Sequence, residues 1–118
     1  HRDDEILLAQ GIRHPGSFYS LIAGYVEPGE TLEQTVAREV FEETGLKVCD
    51  IRYQASQPWP FPYNLMMGFT ARYHSGTLTI AKDELIDAGW FREDDMPELP
   101  PRQTIARRLI DNYWAERK

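Results

Sequence analysis

Cysteine is nearly absent from this sequence, since Cys49 is the only one in 118 residues. One thiol excludes an internal disulfide and a cysteine-rich zinc site within the chain, and we expect Cys49 to be a buried, unreactive thiol. Long apolar runs are also absent. None approaches the ~20 residues needed to cross a bilayer, and the charged start at 1–5 is unlike a secretory signal. These absences favour a cytoplasmic protein that neither binds zinc nor contacts a membrane.

Positive charge is scarce as well. The chain has 13 Lys and Arg against 19 Asp and Glu, a net charge of −6 at pH 7, which argues weakly against a dedicated nucleic-acid surface. Much of the negative charge lies in two segments, 27–43 and 93–98. Such clusters are either solvated faces or cation sites, and the spacing of the acids has to distinguish them. The chain is too short for two cores, so we expect one domain over residues 1–118.

Two helices are predicted. Residues 32–44 contain no Gly or Pro, Thr31 and Gln34 form a capping-box pattern before them, and Gly45 follows as a stop signal. Apolar residues at helical spacing indicate a second helix over 102–117.

The remaining segments alternate between strands and loops. Proline-rich loops are expected at 57–62 and 96–101, because proline cannot donate to a helix or a strand ladder. Strands interleaved with two helices indicate a layered α/β or α+β domain. The predicted strands are 5–9, 18–26, 46–55, 63–74, 76–80 and 85–91.

Three glutamates share one face of the first predicted helix. At about 100° per residue, Glu39, Glu42 and Glu43 fall within an arc of about 100°. Like charges at these spacings cost roughly 0.2–0.5 kcal/mol per pair, and the carboxyl-terminal half of a helix disfavours negative charge. A solvated face is one interpretation. The other is a site for a hard divalent cation such as Mg²⁺ or Mn²⁺, which prefers carboxylate oxygens.

The wider pattern favours the cation site. Segment 24–46 resembles the Nudix box, G-x5-E-x7-R-E-U-x-E-E-x-G-U, in which U is an aliphatic residue. All nine specified positions over 23 residues are filled, and such a match seldom arises by accident. These positions are Gly24, Glu30, Arg38, Glu39, Val40, Glu42, Glu43, Gly45 and Leu46.

The resemblance implies a Nudix-type α/β/α sandwich with a mixed central sheet and the loop–helix of the box. It implies that Glu39, Glu42 and Glu43 bind one to three Mg²⁺ or Mn²⁺ ions, with Glu30 as a supporting carboxylate. Arg38 lies four residues before Glu42 and can orient that carboxylate through a charge-assisted hydrogen bond. An ordinary surface ion pair between Arg38 and Glu30 is the plainer alternative.

A second motif follows shortly after the box. The sequence S-Q-P-W-P-F-P at 56–62, with L-M-M-G-F at 65–69, is similar to the array that marks the NADH pyrophosphatase branch of Nudix hydrolases. A rigid loop presenting Trp59 and Phe61 would form a wall for a planar base, because aromatic rings stack on bases. Taken alone, a loop that packs its aromatic residues on the core is the plainer interpretation. The resemblance makes Gln57, Trp59 and Phe61 substrate-binding residues.

Further site residues follow from this resemblance, which extends over 5–114. Gly24 would let the loop approach a phosphate, Tyr25 would stack on the adenine, and Ala106 would line the adenosine pocket. Glu84 would add a metal-linked carboxylate from a separate loop. The plainer alternatives are a half-buried strand tyrosine for Tyr25 and a solvated acid for Glu84.

Members of this branch carry an N-terminal region and a four-cysteine zinc ribbon before the Nudix domain, and neither is present in these residues. We therefore expect a fragment of a longer protein or a shortened relative. The family forms homodimers in which the partner contributes to the nucleotide pocket, so a homodimer is expected too.

The resemblance implies metal-dependent hydrolysis of NAD(H), a small-molecule dinucleotide, to AMP and nicotinamide mononucleotide. NAD-capped RNA is a larger candidate substrate. Either Glu42 or Glu84 would act as the general base, supported by Arg38 and Glu30. The alternatives are a Nudix pyrophosphatase for ADP-ribose, diadenosine polyphosphates or a nucleoside triphosphate, a nucleotide-binding module without catalysis, and an interaction domain that uses the Trp/Pro loop as a peptide groove.

Overall fold

The computed structural model describes residues 1–12, 17–59 and 64–117. Within them β1 (Glu5–Gly11) pairs antiparallel with β4 (Leu85–Arg92), and β2 (Lys47–Trp59) pairs antiparallel with β3 (Asn64–Ser75). The layered α/β class predicted from the sequence is confirmed. The elements in chain order are β1 (Glu5–Gly11), α1 (Leu32–Thr44), β2 (Lys47–Trp59), β3 (Asn64–Ser75), β4 (Leu85–Arg92), a 3₁₀ turn (Glu93–Asp95) and α2 (Ile105–Glu116).

The predicted mixed sheet is not reproduced in the described ranges, where both ladders are antiparallel. Two predicted strands, 18–26 and 76–80, are irregular instead. In the first, Ser20 makes only an isolated bridge to Ala9. In the second, the Thr79 amide donates to the Thr44 carbonyl at the end of α1, at 2.8 Å, and not to a strand ladder.

Helix α1 begins and ends as its local sequence predicts. The Thr31 hydroxyl accepts from the Gln34 amide at 3.1 Å, and the Gln34 side chain accepts from the Thr31 amide at 2.9 Å, which completes the capping box. At the other end, Gly45 adopts φ 73° and donates to the Phe41 carbonyl at 2.9 Å.

Strand β2 runs further than expected. Pro58 pairs with Leu65 and Trp59 with Asn64, so the predicted loop at 57–62 loses its first three residues to the ladder. Proline is tolerated in a strand whose other edge has no partner, and β3 is the only neighbour of β2 in the described residues. Cys49 on β2 is partly exposed, contrary to the expected burial.

Helix α2 builds the main core. It begins at Ile105, three residues later than predicted, because Thr104 caps it by accepting from the Arg107 amide at 3.2 Å. Its buried residues are Ile105, Leu109, Ile110 and Trp114. Ile110 and Trp114 cluster with Ile6 and Leu8 of β1. Neither α1 nor α2, the two helices of the described chain, is long and apolar enough to cross a membrane.

Candidate metal and nucleotide site

Arg38 of α1 lies at the centre of the predicted site. Its Nε and Nη2 donate to the two oxygens of Glu30 at 2.6 and 3.0 Å. Nη1 donates to Glu39 at 2.6 Å and to Glu42 at 3.2 Å, so the hydrogen bond predicted between Arg38 and Glu42 is present. Nη2 also donates to the Tyr25 carbonyl at 2.8 Å. One guanidinium therefore joins the loop before α1 to the carboxylates on the helix.

Glu30 is held as an anion by this network. Besides Arg38, it accepts from the Glu27 amide and from the Thr35 hydroxyl, both at 3.0 Å. The hydrogen bonds from Arg38, followed by the one from the Glu27 amide, lower the pKa of Glu30 from 4.5 to about 2, because each favours the charged form. The Glu30 side chain is 18% exposed. It is part of a connected network and not an isolated surface pair.

Glu43 is a carboxylate in an environment that disfavours its charge. It is 8% exposed, and its Oε2 has no hydrogen-bond partner. Burial, a hydrogen bond with Glu39, and the charges of Glu39, Glu84 and Glu42 raise the pKa of Glu43 from 4.5 to about 8. Because a buried unpaired carboxylate is costly, this position favours a cation ligand over a solvated helix face.

The loop after β3 brings Glu84 to the cluster. The last carbonyls of a helix lack partners within it, and here the Ala81 amide donates to the Glu43 carbonyl at 2.9 Å. A turn follows in which the Glu84 amide donates to the Ala81 carbonyl at 2.9 Å, and the Glu84 carbonyl accepts from Ile12 at 2.9 Å. The docking of this loop explains why the charge of Glu84 acts on Glu43.

Gly24 has a packing role that the sequence did not predict. A Cβ built on Gly24 would overlap the carboxylate of Glu39. Any larger residue would displace Glu39 or the loop, so the first glycine of the motif makes room for a predicted metal ligand.

The donor set fits a hard divalent cation. Glu39, Glu43 and Glu84 offer carboxylate oxygens, the ligands that Mg²⁺ and Mn²⁺ prefer, and Oε2 of Glu43 has a free coordination position. In the part of the chain that the structure describes, no group of three or more His, Cys, Asp or Glu side chains is already arranged to hold an ion. Arg38 Nη1 instead engages one oxygen of Glu39 and one of Glu42.

The predicted substrate-binding residues lie in two places. Tyr25, whose carbonyl accepts from Arg38, is 76% exposed, so it is not the half-buried strand residue of the plainer alternative. Trp59 ends β2 and Ala106 is the second residue of α2, and both are partly buried. Phe61 lies outside the described residues.

The structure adds contacts that the sequence did not predict. Thr35 and the Glu27 amide complete the hydrogen bonding of Glu30. Gln57, predicted to bind substrate, bonds through its amide group to the start of α2, 46 to 48 residues away. No local pattern predicts a contact over that separation, whereas Thr35, five residues after Glu30, lies close enough in sequence for such a contact to be predicted.

The chain is a small layered α/β domain. Its helix α1 carries three clustered carboxylates and a docked loop adds a fourth, a donor set suited to a divalent cation. The chain belongs to the Nudix family: the family's NUDIX domain matches residues 1–113. It is 59% identical over 114 residues to a curated protein of Enterobacter sp. (strain 638) named NAD-capped RNA hydrolase NudC. That match covers 97% of this chain but 44% of the relative, so the chain spans less than half of the relative's length.

Two solved structures are similar in fold. A NUDIX hydrolase from Nitrosomonas europaea has a TM-score of 0.83 and 25% identity, over 98% of this chain and 65% of that one. An ADP-ribose pyrophosphatase from Streptococcus suis has a TM-score of 0.67 and 25% identity, over 98% of this chain and 85% of that one.

Proposed function

We propose that this domain hydrolyses the diphosphate of NAD(H) to AMP and nicotinamide mononucleotide, with Mg²⁺ or Mn²⁺ bound by the carboxylate cluster. The observation that carries the proposal is Glu43, whose buried Oε2 lacks a partner in the midst of other glutamates. The name of the relative that is 59% identical supports a substrate containing NAD.

Glu39, Glu42, Glu43 and Glu84 are the proposed ligands of one to three ions. When bound, such an ion neutralises charge on the diphosphate and makes a water molecule more acidic. The chain's own contribution begins with Arg38, which holds Glu30 with two hydrogen bonds while its Nη1 engages Glu39 and Glu42. Because a carboxylate has two oxygens, Glu39 and Glu42 can each offer an ion the oxygen that Arg38 does not engage, so Arg38 can orient both ligands.

A carboxylate of this cluster takes the proton from the attacking water. Glu42 and Glu84 are the candidates. Glu42 is the more open of the helix acids, with 56% of its side chain exposed against 18% for Glu39, so water reaches it directly. Glu84 enters from a loop and is not held by Arg38 in the hydrogen bonds described.

The bases of the dinucleotide are assigned to the aromatic positions. Tyr25 is exposed next to the carboxylates and offers a free ring face for the adenine. In this proposal Trp59, Phe61, Ala106 and Gln57 are the other substrate-binding residues.

The test is cleavage of NADH with Mg²⁺ or Mn²⁺, with AMP and reduced nicotinamide mononucleotide separated by chromatography. Both products should form in equal amounts, and EDTA should stop the reaction. A folded, metal-binding protein that yields neither product would contradict the proposal and favour a nucleotide-binding module.

ADP-ribose is the second candidate substrate, because the similar Streptococcus suis structure is named an ADP-ribose pyrophosphatase. Comparing kcat/KM for NADH, ADP-ribose and an NAD-capped RNA in one assay ranks the three. A homodimer in the cytoplasm completes the proposal, and sedimentation of the purified chain tests its dimeric state.

A further inference from the structure

Both the nitrogen and the oxygen of the Gln57 side-chain amide, on β2, form hydrogen bonds at the start of α2. Its Nε2 donates to the Gln103 carbonyl at 2.8 Å, and its Oε1 accepts from the Ile105 amide at 2.8 Å. Ile105 is the first residue of α2, and the first N–H groups of a helix have no partner within the helix. Thr104 satisfies the Arg107 amide at 3.2 Å. The start of α2 is therefore held by its own cap and by a residue from a distant strand.

A second contact fixes the same helix on the same hairpin. A Cβ built on Gly68 of β3 would come within 2.7 Å of the Leu109 Cδ1 and 3.1 Å of the Ile105 Cδ1. Since real Cβ atoms do not approach other atoms that closely, α2 rests directly on the β3 backbone. Packing at Gly68 sets the distance of α2 from the hairpin, and the Gln57 hydrogen bonds set the position of its first turn.

This arrangement relates two of the predicted substrate-binding residues. The pairing of β2 with β3 is regular from Ala55 to Trp59, so Gln57 and Trp59, two residues apart, project from the same face of the strand. Ala106 follows directly after Ile105, whose amide donates to Gln57. The spacing between Trp59 and Ala106 therefore depends on the two hydrogen bonds of Gln57.

We propose that Gln57 is a positioning residue that holds the first turn of α2 at the spacing from Trp59 needed for nucleotide binding. The inference rests on the proposed function, which makes Trp59 and Ala106 part of the nucleotide site. It changes the role predicted for Gln57 from substrate contact to support of the helix that makes the contact.

Direct contact with the substrate is the competing role. An amide oxygen has two lone pairs and an amide nitrogen has two hydrogens, so each atom retains one position for another partner. The two roles differ in their coupling to α2. A supporting residue acts only through the start of the helix. Removing another contact that holds this start should therefore weaken nucleotide binding as the loss of Gln57 does.

The experiment is a double-mutant cycle in the 118-residue chain with Gln57→Ala, Thr104→Ala and the double variant. Gln54→Ala is the matched control, because Gln54 lies on the same strand but donates to Thr70 of β3, at 3.0 Å, and not to α2. Three quantities are measured: kcat and KM for NADH with Mg²⁺, the Kd for AMP, and the hydrogen exchange rate of the Ile105 amide by NMR.

For Gln57→Ala we expect a KM and an AMP Kd about tenfold higher, a kcat within about twofold of wild type, and faster exchange at Ile105. Thr104→Ala should also raise KM and the AMP Kd. The double variant should have nearly the same KM and Kd as Gln57→Ala, because both substitutions act on the start of α2. Gln54→Ala should match the wild type. If Gln57→Ala does not fold, Gln57→Glu replaces it. That variant keeps the acceptor for Ile105, so it should retain protection there and raise KM by a smaller factor.

Three results would overturn the inference: a lower kcat with unchanged KM in Gln57→Ala, additive effects of Gln57→Ala and Thr104→Ala on KM, or unchanged Ile105 exchange. A wild-type chain that binds AMP but does not cleave NADH would contradict the proposed function. The AMP Kd and the Ile105 exchange rate would still test whether Gln57 positions the first turn of α2. A wild-type chain that neither binds AMP nor cleaves NADH would overturn both.

Discussion

Arg38 and Glu30 form a two-point ion pair across the turn that leads into α1, with Nε donating to Oε2 at 2.6 Å and Nη2 donating to Oε1 at 3.0 Å. A planar guanidinium matches the two carboxylate oxygens in a way that an ammonium group cannot. The same guanidinium reaches Glu39 and the Tyr25 carbonyl. The pair therefore fixes the loop, a predicted metal ligand and a predicted base-stacking residue together.

Replacing Arg38 by lysine should lower activity although the charge is kept. The variant Arg38→Lys cannot form the fork with Glu30 while also contacting Glu39, and loss of a residue that orients metal ligands costs on the order of 10–100-fold in metal affinity or activity. Titration with Mn²⁺ and steady-state kinetics measure both. Arg92→Lys is the control, because Arg92 makes an exposed pair with Asp4. Equal activity of the two variants would contradict the orienting role.

Glu42→Gln should abolish turnover while leaving the fold intact. Glu42 has 56% of its side chain exposed, so little packing is lost, whereas the variant loses a metal ligand or the general base and with it on the order of 10²-fold or more in kcat. Glu33→Gln, in the first turn of the same helix, should retain wild-type kcat. A Glu42→Gln variant that keeps most of its activity would leave Glu84 as the candidate base.

The stability of the metal-free protein should fall as pH rises from about 4.5 to about 8. Over this range folded Glu43 keeps its proton, whereas the unfolded chain has lost it. The folded state then binds more protons, so the free energy of unfolding decreases with pH. Glu30 affects stability at low pH. Because its pKa is lowered to about 2, its contribution to the free energy of unfolding is lost as pH falls from about 4.5 toward 2.

Urea unfolding in EDTA across this pH range measures both effects. Glu43→Gln keeps a similar shape without an ionisable group, so its stability should decline less between about pH 4.5 and 8. Saturating Mg²⁺ should also reduce the decline in the wild type, because it stabilises the charged form of Glu43. Identical pH profiles for wild type and Glu43→Gln in EDTA would rule out Glu43 as the source.

The sequence predicts α1 closely because the determinants of the helix are local. Thr31, Gln34 and Gly45 act within one turn of the residues they cap. The shared face of Glu39, Glu42 and Glu43 also follows from helical spacing alone. These are the features on which the family resemblance rests, and the family assignment is confirmed.

Three of the features that were not predicted depend on tertiary contacts. In segment 76–80 the Thr79 amide bonds to the end of α1, a partner that the β-favouring residues of this segment do not reveal. The extension of β2 to Trp59 depends on Asn64 and Leu65 lying opposite it, which composition alone cannot indicate. Gln57 has a hydrogen-bonding partner 46 residues away, and only the packing of α2 on the hairpin brings the two together.

The packing of α2 on the hairpin can be tested at Gly68. In Gly68→Ala the new methyl group would meet Leu109 Cδ1 at 2.7 Å and the Ala55 carbonyl oxygen at 3.3 Å, so the Leu109 side chain or α2 has to shift. Overpacking of this kind costs about 1–3 kcal/mol in the free energy of unfolding, and urea titration measures it. Gly89→Ala is the matched strand control, because its Cβ would meet nothing nearer than the Phe91 ring at 3.4 Å. Alanine is favoured over glycine inside a strand by roughly 0.5–1 kcal/mol, so Gly89→Ala should be neutral or stabilising. If both variants had the same stability, α2 would not rest on the β3 backbone as closely as the structure places it.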